Sequence, residues 1–220
     1  MLTALILSIS AVLLMRWWPP ATSAFMIEAR LTAMSHGDAG FHLRHSWVPR
    51  DHISPFAQLA VIASEDQKFP FHHGFDFDSI QDAVREQEEG IRSRGASTLS
   101  QQTAKNLFLW GGHSYVRKGL EAWFTMLLEL SWPKTRILEV YLNSAQFGPD
   151  VFGIEAAAQS DFHKHAAALS RAEAAQLAAV LPNPLRLHAE RPSAYVAARR
   201  EWILGQMRDL GDTAYLKNLH

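Results

Sequence analysis

Residues 54–66 read Ser54-Pro55-Phe56-Ala57-Gln58-Leu59-Ala60-Val61-Ile62-Ala63-Ser64-Glu65-Asp66. Serine followed by proline marks a helix start. The hydroxyl caps free amide groups, and proline suits the first helical position, where no amide hydrogen is needed. Phe56, Leu59, Ala60 and Ala63 then recur at helical spacing. The run ends on two carboxylates. A carboxylate at the end of an apolar helix is partly desolvated, which raises its pKa and suits it to general acid or base work near neutral pH. Taken alone, the same pattern also describes a solvated helix end.

The flanking sequence is helical too. Asp76 is placed to cap a helix with Phe77, Ile80 and Val84 on one face. Thr98 with Gln101, and Ser170 with Glu173, have capping-box spacing. Val116, Leu120, Trp123, Phe124 and Leu127 form an apolar stripe that Ile137, Val140 and Tyr141 continue. An alanine-rich run to Leu181 stops at Pro182-Asn183-Pro184. A last helix carries Tyr195, Trp202, Ile203, Met207 and Leu210 and ends at Gly211. No convincing period-two strand and no internal repeat is present. The predicted fold class is all-α, in one domain.

The chain has 220 residues, of which 48% are hydrophobic, with a net charge of −1 and no cysteine. Disorder, bulk nucleic-acid affinity, disulfides and thiol chemistry are thereby disfavoured. Leu2 to Met15 is apolar except for Thr3, Ser8 and Ser10, and Arg16-Trp17-Trp18-Pro19-Pro20 closes it. The run is short for a bilayer span, which takes about 20 residues, and it lacks the basic leader of a signal peptide. Tryptophans suit the membrane interface. Residues 1–20 are therefore expected to be a transmembrane anchor, residues 21–46 a connector, and residues 47–220 the catalytic domain.

A second chemical stretch reads Gly95-Ala96-Ser97-Thr98-Leu99-Ser100-Gln101-Gln102-Thr103-Ala104-Lys105-Asn106. A helix beginning there offers free backbone amides that attract anions. Gln101 and Lys105 share a face, and Gln102 flanks them. The spacing is not that of a P-loop. Arg117 and Glu121 stand one turn apart. That pattern usually means a surface ion pair of little worth, but Leu120, Ala122 and Trp123 give this glutamate an apolar setting. The pairs His72-His73 and His163/His165 lack the company of a zinc site.

In order, these blocks closely resemble the motifs of the peptidoglycan glycosyltransferases. The matching residues are Glu65-Asp66, Phe69, His72, Gly74 and Asp76; Gly95, Ser97-Thr98, Gln101-Gln102 and Lys105-Asn106-Leu107; and Arg117-Lys118 with Glu121. Ile137-Leu138-Glu139, Tyr141-Leu142-Asn143, Phe147-Gly148 and Gly153-Ile154 follow, then Glu173, Leu177-Ala178, Pro182 and Pro184. The match covers about residues 47–205. With the chain ending at His220, it looks like the monofunctional biosynthetic form, without a transpeptidase domain.

The resemblance implies a lysozyme-like, two-lobed helical fold and a substrate of lipid II plus growing glycan strand. The family joins MurNAc C1 of the donor to the GlcNAc 4-hydroxyl of the acceptor with inversion and releases undecaprenyl diphosphate. Glu65 matches the general base. Glu121 matches the second family glutamate, near the diphosphate or a divalent ion such as Mg or Mn. No dedicated metal site and no organic cofactor are implied. Ser97, Thr98, Gln101, Gln102, Lys105, Asn106, His113, Arg117 and Lys118 are the implied substrate-binding residues. Asn143 is expected to support the cleft. Expected partners are lipid II, the membrane, and cell-wall synthesis and division proteins. The expected site of action is the periplasmic face of the bacterial inner membrane, on a single-pass anchor.

Two positions depart from the family pattern. His113 stands where an arginine is common, and histidine is only partly charged at neutral pH. Asp150 stands where glycine is common, and Asp tolerates positive φ better than most residues. Competing readings are a lysozyme-like hydrolase and a catalytically silent scaffold. The cations argue against the hydrolase, since a neutral glycosidic leaving group needs none. The intact glutamates argue against the scaffold.

Overall fold

The computed structural model of the protein describes residues 2–88, 97–112 and 114–219. The fold is built around the helix that the sequence announces most strongly. This helix, α3 (Pro55–Glu65), begins with Ser54 accepting from the Phe56 amide at 3.3 Å, and Pro55 sits in the first turn. Every residue from Ala57 to Ala63 is buried. A helix apolar on all sides has to be surrounded. Its neighbours are α9 (Arg171–Ala178), α10 (Ala194–Asp209) and a 3₁₀ segment, Asp212–Asn218. The Ser54 hydroxyl also donates to Leu169 O at 2.8 Å, which ties the helix start to the chain entering α9.

A second group packs α5 (Leu99–Phe108) against α6 (Tyr115–Ser131) and α7 (Lys134–Ser144). Both predicted capping boxes form, Thr98 with Gln101 and Ser170 with Glu173. Asp76 caps α4 (Phe77–Glu88), accepting from the Ser79 amide at 3.1 Å. Phe77 lies outside the core, 74% exposed, against the shared apolar face expected with Ile80. The stripe predicted on α6 is also turned. Its buried residues are Arg117, Glu121, Thr125 and Leu128, while Val116 and Leu120 are exposed. The inward face of α6 thus begins with a charged pair, while Leu128 is buried further along and Phe124 and Leu127 pack against the core.

The segment 21–46 holds two elements that no period announces. Ser23 caps α2 (Ala24–Ser35), and Arg44–His45 form β1, which pairs in parallel with β2 (Val151–Phe152). Two residues are too few for a strand signature. Arg44 grips Asp150 with two prongs, Nε to Oδ2 at 3.0 Å and Nη2 to Oδ1 at 2.8 Å. Asp150 does not have positive φ. Its side chain is an anchor for Arg44, not a tolerated replacement for a turn glycine.

Asn143, fully buried on α7, clamps the incoming chain. Its Oδ1 accepts from Val48 N at 2.9 Å, and its Nδ2 donates to Val48 O and Glu139 O, each at 2.9 Å. Gly153, at φ +84°, precedes α8 (Ile154–Phe162); a Cβ there would stand 2.8 Å from Asn143 O, so only glycine fits.

The N-terminal helix α1 (Leu2–Met15) lies along α6. Trp132 Nε1 donates to Val12 O at 2.9 Å, and Arg136 donates to Met15 O and Trp18 O. None of the helices among the described residues is long and apolar enough to cross a membrane.

Asn143→Ala is expected to lower stability by about 2–4 kcal/mol, because it strands buried backbone groups of the 48 segment as well as removing its own bonds. Urea unfolding measures this, and a loss below about 0.5 kcal/mol would show that the clamp is not needed.

Candidate active site

Glu65 and Asp66 close α3 but do different things. Asp66 is 7% exposed and looks into the protein. Its Oδ2 accepts from the Leu99 amide, the first of α5, at 2.8 Å. His72 Nε2 donates to the same oxygen at 2.9 Å, while His72 Nδ1 accepts from the Gly74 amide at 3.1 Å. Those two bonds place the ring proton on Nε2. The α5 start is therefore not open to an external anion as its sequence suggested. Asp66 already holds its first amide, and Thr98 Oγ1 holds that of Gln101 at 3.2 Å.

Glu65 is half-buried. Its Oε2 accepts from Gln102 Nε2 at 3.0 Å, and its Oε1 from Ser64 Oγ at 3.1 Å. Gln102 is itself held, because its Oε1 accepts from the Tyr141 hydroxyl at 3.1 Å. Burial pushes Tyr141 well above its ordinary pKa, and the charges of Glu65 and Asp66 push the same way, so the hydroxyl keeps its proton and remains a donor. The line Tyr141–Gln102–Glu65 fixes the direction of one carboxylate.

Across α5 lies a cluster of opposite sign. Glu121 is 3% exposed, and Arg117 Nη1 donates to its Oε2 at 2.8 Å. Lys118 Nζ donates to Oε1. The pair read as a surface ion pair is thus a buried one. Lys105 is depressed from its ordinary pKa, chiefly by burial. The nearby Glu121 offsets this, Arg117 and Lys118 add to it, and Glu65 pulls weakly the other way. Among the described residues no carboxylate forms an ion pair with Lys105, and its ammonium lies 5.4 Å from the Phe25 ring centroid. Three cations therefore surround one carboxylate, a field that favours an anionic group. The same arrangement does not fit a protein-held divalent cation, because both oxygens of Glu121 already accept from cations. Among the described residues no group of His, Asp and Glu gathers for a metal either. No step below passes through one.

The remaining sequence candidates divide. Ser97 and Thr98 line the rim of a cleft of about 730 Å³ that also holds Glu65. Thr98 and Gln101 are buried, and their side chains are used in the capping box, with Thr98 Oγ1 also donating to Gly74 O at 2.7 Å. That geometry supplies a frame and commits Gln101 Oε1 to the cap. Asn106 is buried on α5. His113 lies outside the described residues. Sequence reasoning passed over Tyr141 as one of an apolar stripe. A tyrosine in a buried stripe still needs a partner for its hydroxyl, and that was the available signal. It also passed over a buried network behind the cleft, in which Lys134 Nζ donates to Glu129 at 2.7 Å and Ser100 donates to the same carboxylate.

The chain is similar to known proteins. A family model described as Transglycosylase matches residues 33–208. The chain is 54% identical to the biosynthetic peptidoglycan transglycosylase of Pseudomonas entomophila over 96% of its length and 89% of the relative's. It is 55% identical to the protein of the same name from Pseudomonas putida KT2440, over 96% of this chain and 89% of that one. With the Pseudomonas syringae pv. syringae protein of that name it shares 54% identity over 97% of its length. The chain belongs to the peptidoglycan transglycosylase family, the glycosyltransferases that build cell-wall glycan.

Proposed function

We propose that this chain polymerises lipid II, with Glu65 as general base. The observation that supports this best is the pairing of one oriented carboxylate, Glu65 held by Gln102, with the cation cluster of Lys105, Arg117 and Lys118 across α5. Glu65 takes the proton of the acceptor GlcNAc 4-hydroxyl as that oxygen attacks C1 of the donor MurNAc. The bond from C1 to the phosphate oxygen breaks, with inversion to the β-1,4 link. Negative charge collects on the departing undecaprenyl diphosphate. Fixed cations facing that charge stabilise the transition state more than the ground state. Glu121 orders Arg117 and Lys118 for this role, since each donates to one of its oxygens. Gln102 positions the base, and Ser97 at the cleft rim hydrogen-bonds sugar.

A lipid-borne substrate requires the enzyme to stay at the membrane. Leu2, Ile6, Leu7 and Leu14 of α1, together with Trp17 and Trp18, present exposed apolar surface. Exposed apolar residues on α2 (Ile27, Leu31, Met34) and α6 (Val116, Leu130) extend it. The helix α1 is about 21 Å long against a hydrocarbon core of about 30 Å. We place α1 in the membrane as the anchor of the single-pass reading, with the catalytic domain on the periplasmic side.

Glu65→Gln is expected to keep the fold and to lower lipid II polymerisation by about 10³-fold, the range of a lost general base. Retention of the rate to within about ten-fold in that assay would remove Glu65 from the role. Lys105→Met tests the cation site with two readouts. The depressed folded pKa means that the unfolded chain binds the proton more tightly. Stability from this group therefore rises as pH climbs towards the ordinary lysine value of 10.5. The substitution is expected to abolish that rise in thermal unfolding scans and to cut kcat/KM by about 100-fold. An unchanged pH–stability profile would contradict the burial of the charge.

A further inference from the structure

The last long helix has two working faces, and the reaction described above uses neither. Val196, Ile203 and Met207 of α10 are fully buried against the core. Tyr195, Arg199 and Trp202 follow one another at spacings of four and three and share a different face. That face lines the 730 Å³ cleft opposite the end of α3 that carries Glu65. Tyr195 is 56% exposed and Trp202 38% exposed. Two large aromatic side chains are thus kept out of the core and held in a groove beside the base.

The face is held rigidly. Arg199 Nη2 donates to Ser64 O at 3.2 Å, directly behind Glu65. Its guanidinium lies 4.0 Å from the centroid of the Trp202 ring and covers one side of the indole. Gln67 Nε2 donates to Gln206 Oε1 at 2.7 Å one turn further on. The helix is therefore bolted to the residues on both sides of Glu65-Asp66.

The cleft's charge decides what fits against it. Lys105, Arg117 and Lys118 do not line it, whereas Glu65, Asp66, Asp76 and Asp82 do. Lys68, its other cation, is paired with Asp78 at 2.9 Å. A diphosphate is repelled here and drawn to the other side of α5. An uncharged sugar ring fits: one wall offers oxygen acceptors for its hydroxyls, and the other offers aromatic rings for its C–H face. Apolar bodies with a few placed polar groups are the usual make-up of a ligand cleft of this size.

We propose that Tyr195 and Trp202, braced by Arg199, form a stacking platform for the GlcNAc–MurNAc glycan and hold it in register with Glu65. The proposal rests on the lipid II-polymerising reading and adds to it the residues that grip the sugar. The test uses the full chain in detergent and a soluble, lipid-free GlcNAc–MurNAc tetrasaccharide, with binding measured by calorimetry. Trp202→Ala is expected to weaken binding by about ten-fold, with Trp202→Phe restoring it to within about three-fold. In lipid II polymerisation KM is expected to rise more than kcat falls. Tyr195→Ala, at a more exposed position, decides the matter if Trp202→Ala does not fold. Wild-type binding in both alanine variants, or no binding by the wild-type chain, overturns the platform. Failure of the wild-type chain to polymerise lipid II would instead overturn the underlying reading, whatever the tetrasaccharide does.

Discussion

A buried carboxylate with two hydrogen-bond partners sets the geometry of this site. Asp66 must be satisfied inside the protein, since an uncompensated charge there would cost several kcal/mol. It meets that requirement by accepting from the first amide of α5 and from His72. The two bonds fix the start of α5 to the end of α3. Once that joint is made, Gln102 on the first turn of α5 can face only the neighbouring carboxylate, Glu65. The orientation of the Glu65 carboxylate thus follows from the joint made by Asp66. A helix N-terminus often serves to bind a ligand anion; here the anion is part of the chain, the carboxylate of Asp66.

The cation cluster has the opposite logic. Lys105, Arg117 and Lys118 crowd around Glu121, and Lys105 is held against burial and against two neighbouring cations. This arrangement is unfavourable for the folded protein alone. Arg117 Nε is buried without a partner among the described residues. On the proposed reading, a multiply charged leaving group would relieve both strains. Inward-facing charge also explains the turned stripe of α6. With Arg117 and Glu121 on the inside, the apolar residues at the intervening positions have only the outside left.

How much of this could be read from the chain follows from which forces are local. Ser54-Pro55, Thr98 with Gln101, and Ser170 with Glu173 acted as written, because caps involve residues three apart or fewer. Glu65, Lys105, Arg117 and Glu121 stood out for the same reason, as short motifs, and the family resemblance assigned roles to the two glutamates. The contacts that hold them were not legible. The spacing of Gln101 from Thr98 announces its cap, whereas nothing near Gln102 says that it reaches Glu65, 37 residues away. Tyr141 gave a period and hid a hydroxyl. In α2 no face is consistently apolar, and in β1 and β2 two residues cannot alternate, so neither left a pattern. Asp150 invited an argument about φ, although its reason is Arg44, 106 residues away.

One helix links the end of α1 to the candidate site. Arg136, in the first turn of α7, collects the carbonyls of Met15 and Trp18 at the end of α1. Its guanidinium is set between Trp47 and Trp132, 5.2 and 5.9 Å from their ring centroids, and pairs with Glu139 at 3.1 Å. A planar cation stacked and paired in this way has little freedom. Five residues along the same helix, about 7.5 Å of rise, stands Tyr141, which orients Gln102 and through it Glu65. Two residues beyond that, Asn143 clamps the chain at Val48. On the proposed reading, a substrate held at a fixed depth by its lipid would require a base at a fixed height. A flexible tether from anchor to domain would not provide one. The polar contacts from the end of α1 through α7 do, because each is made by a side chain whose alternatives are closed by burial.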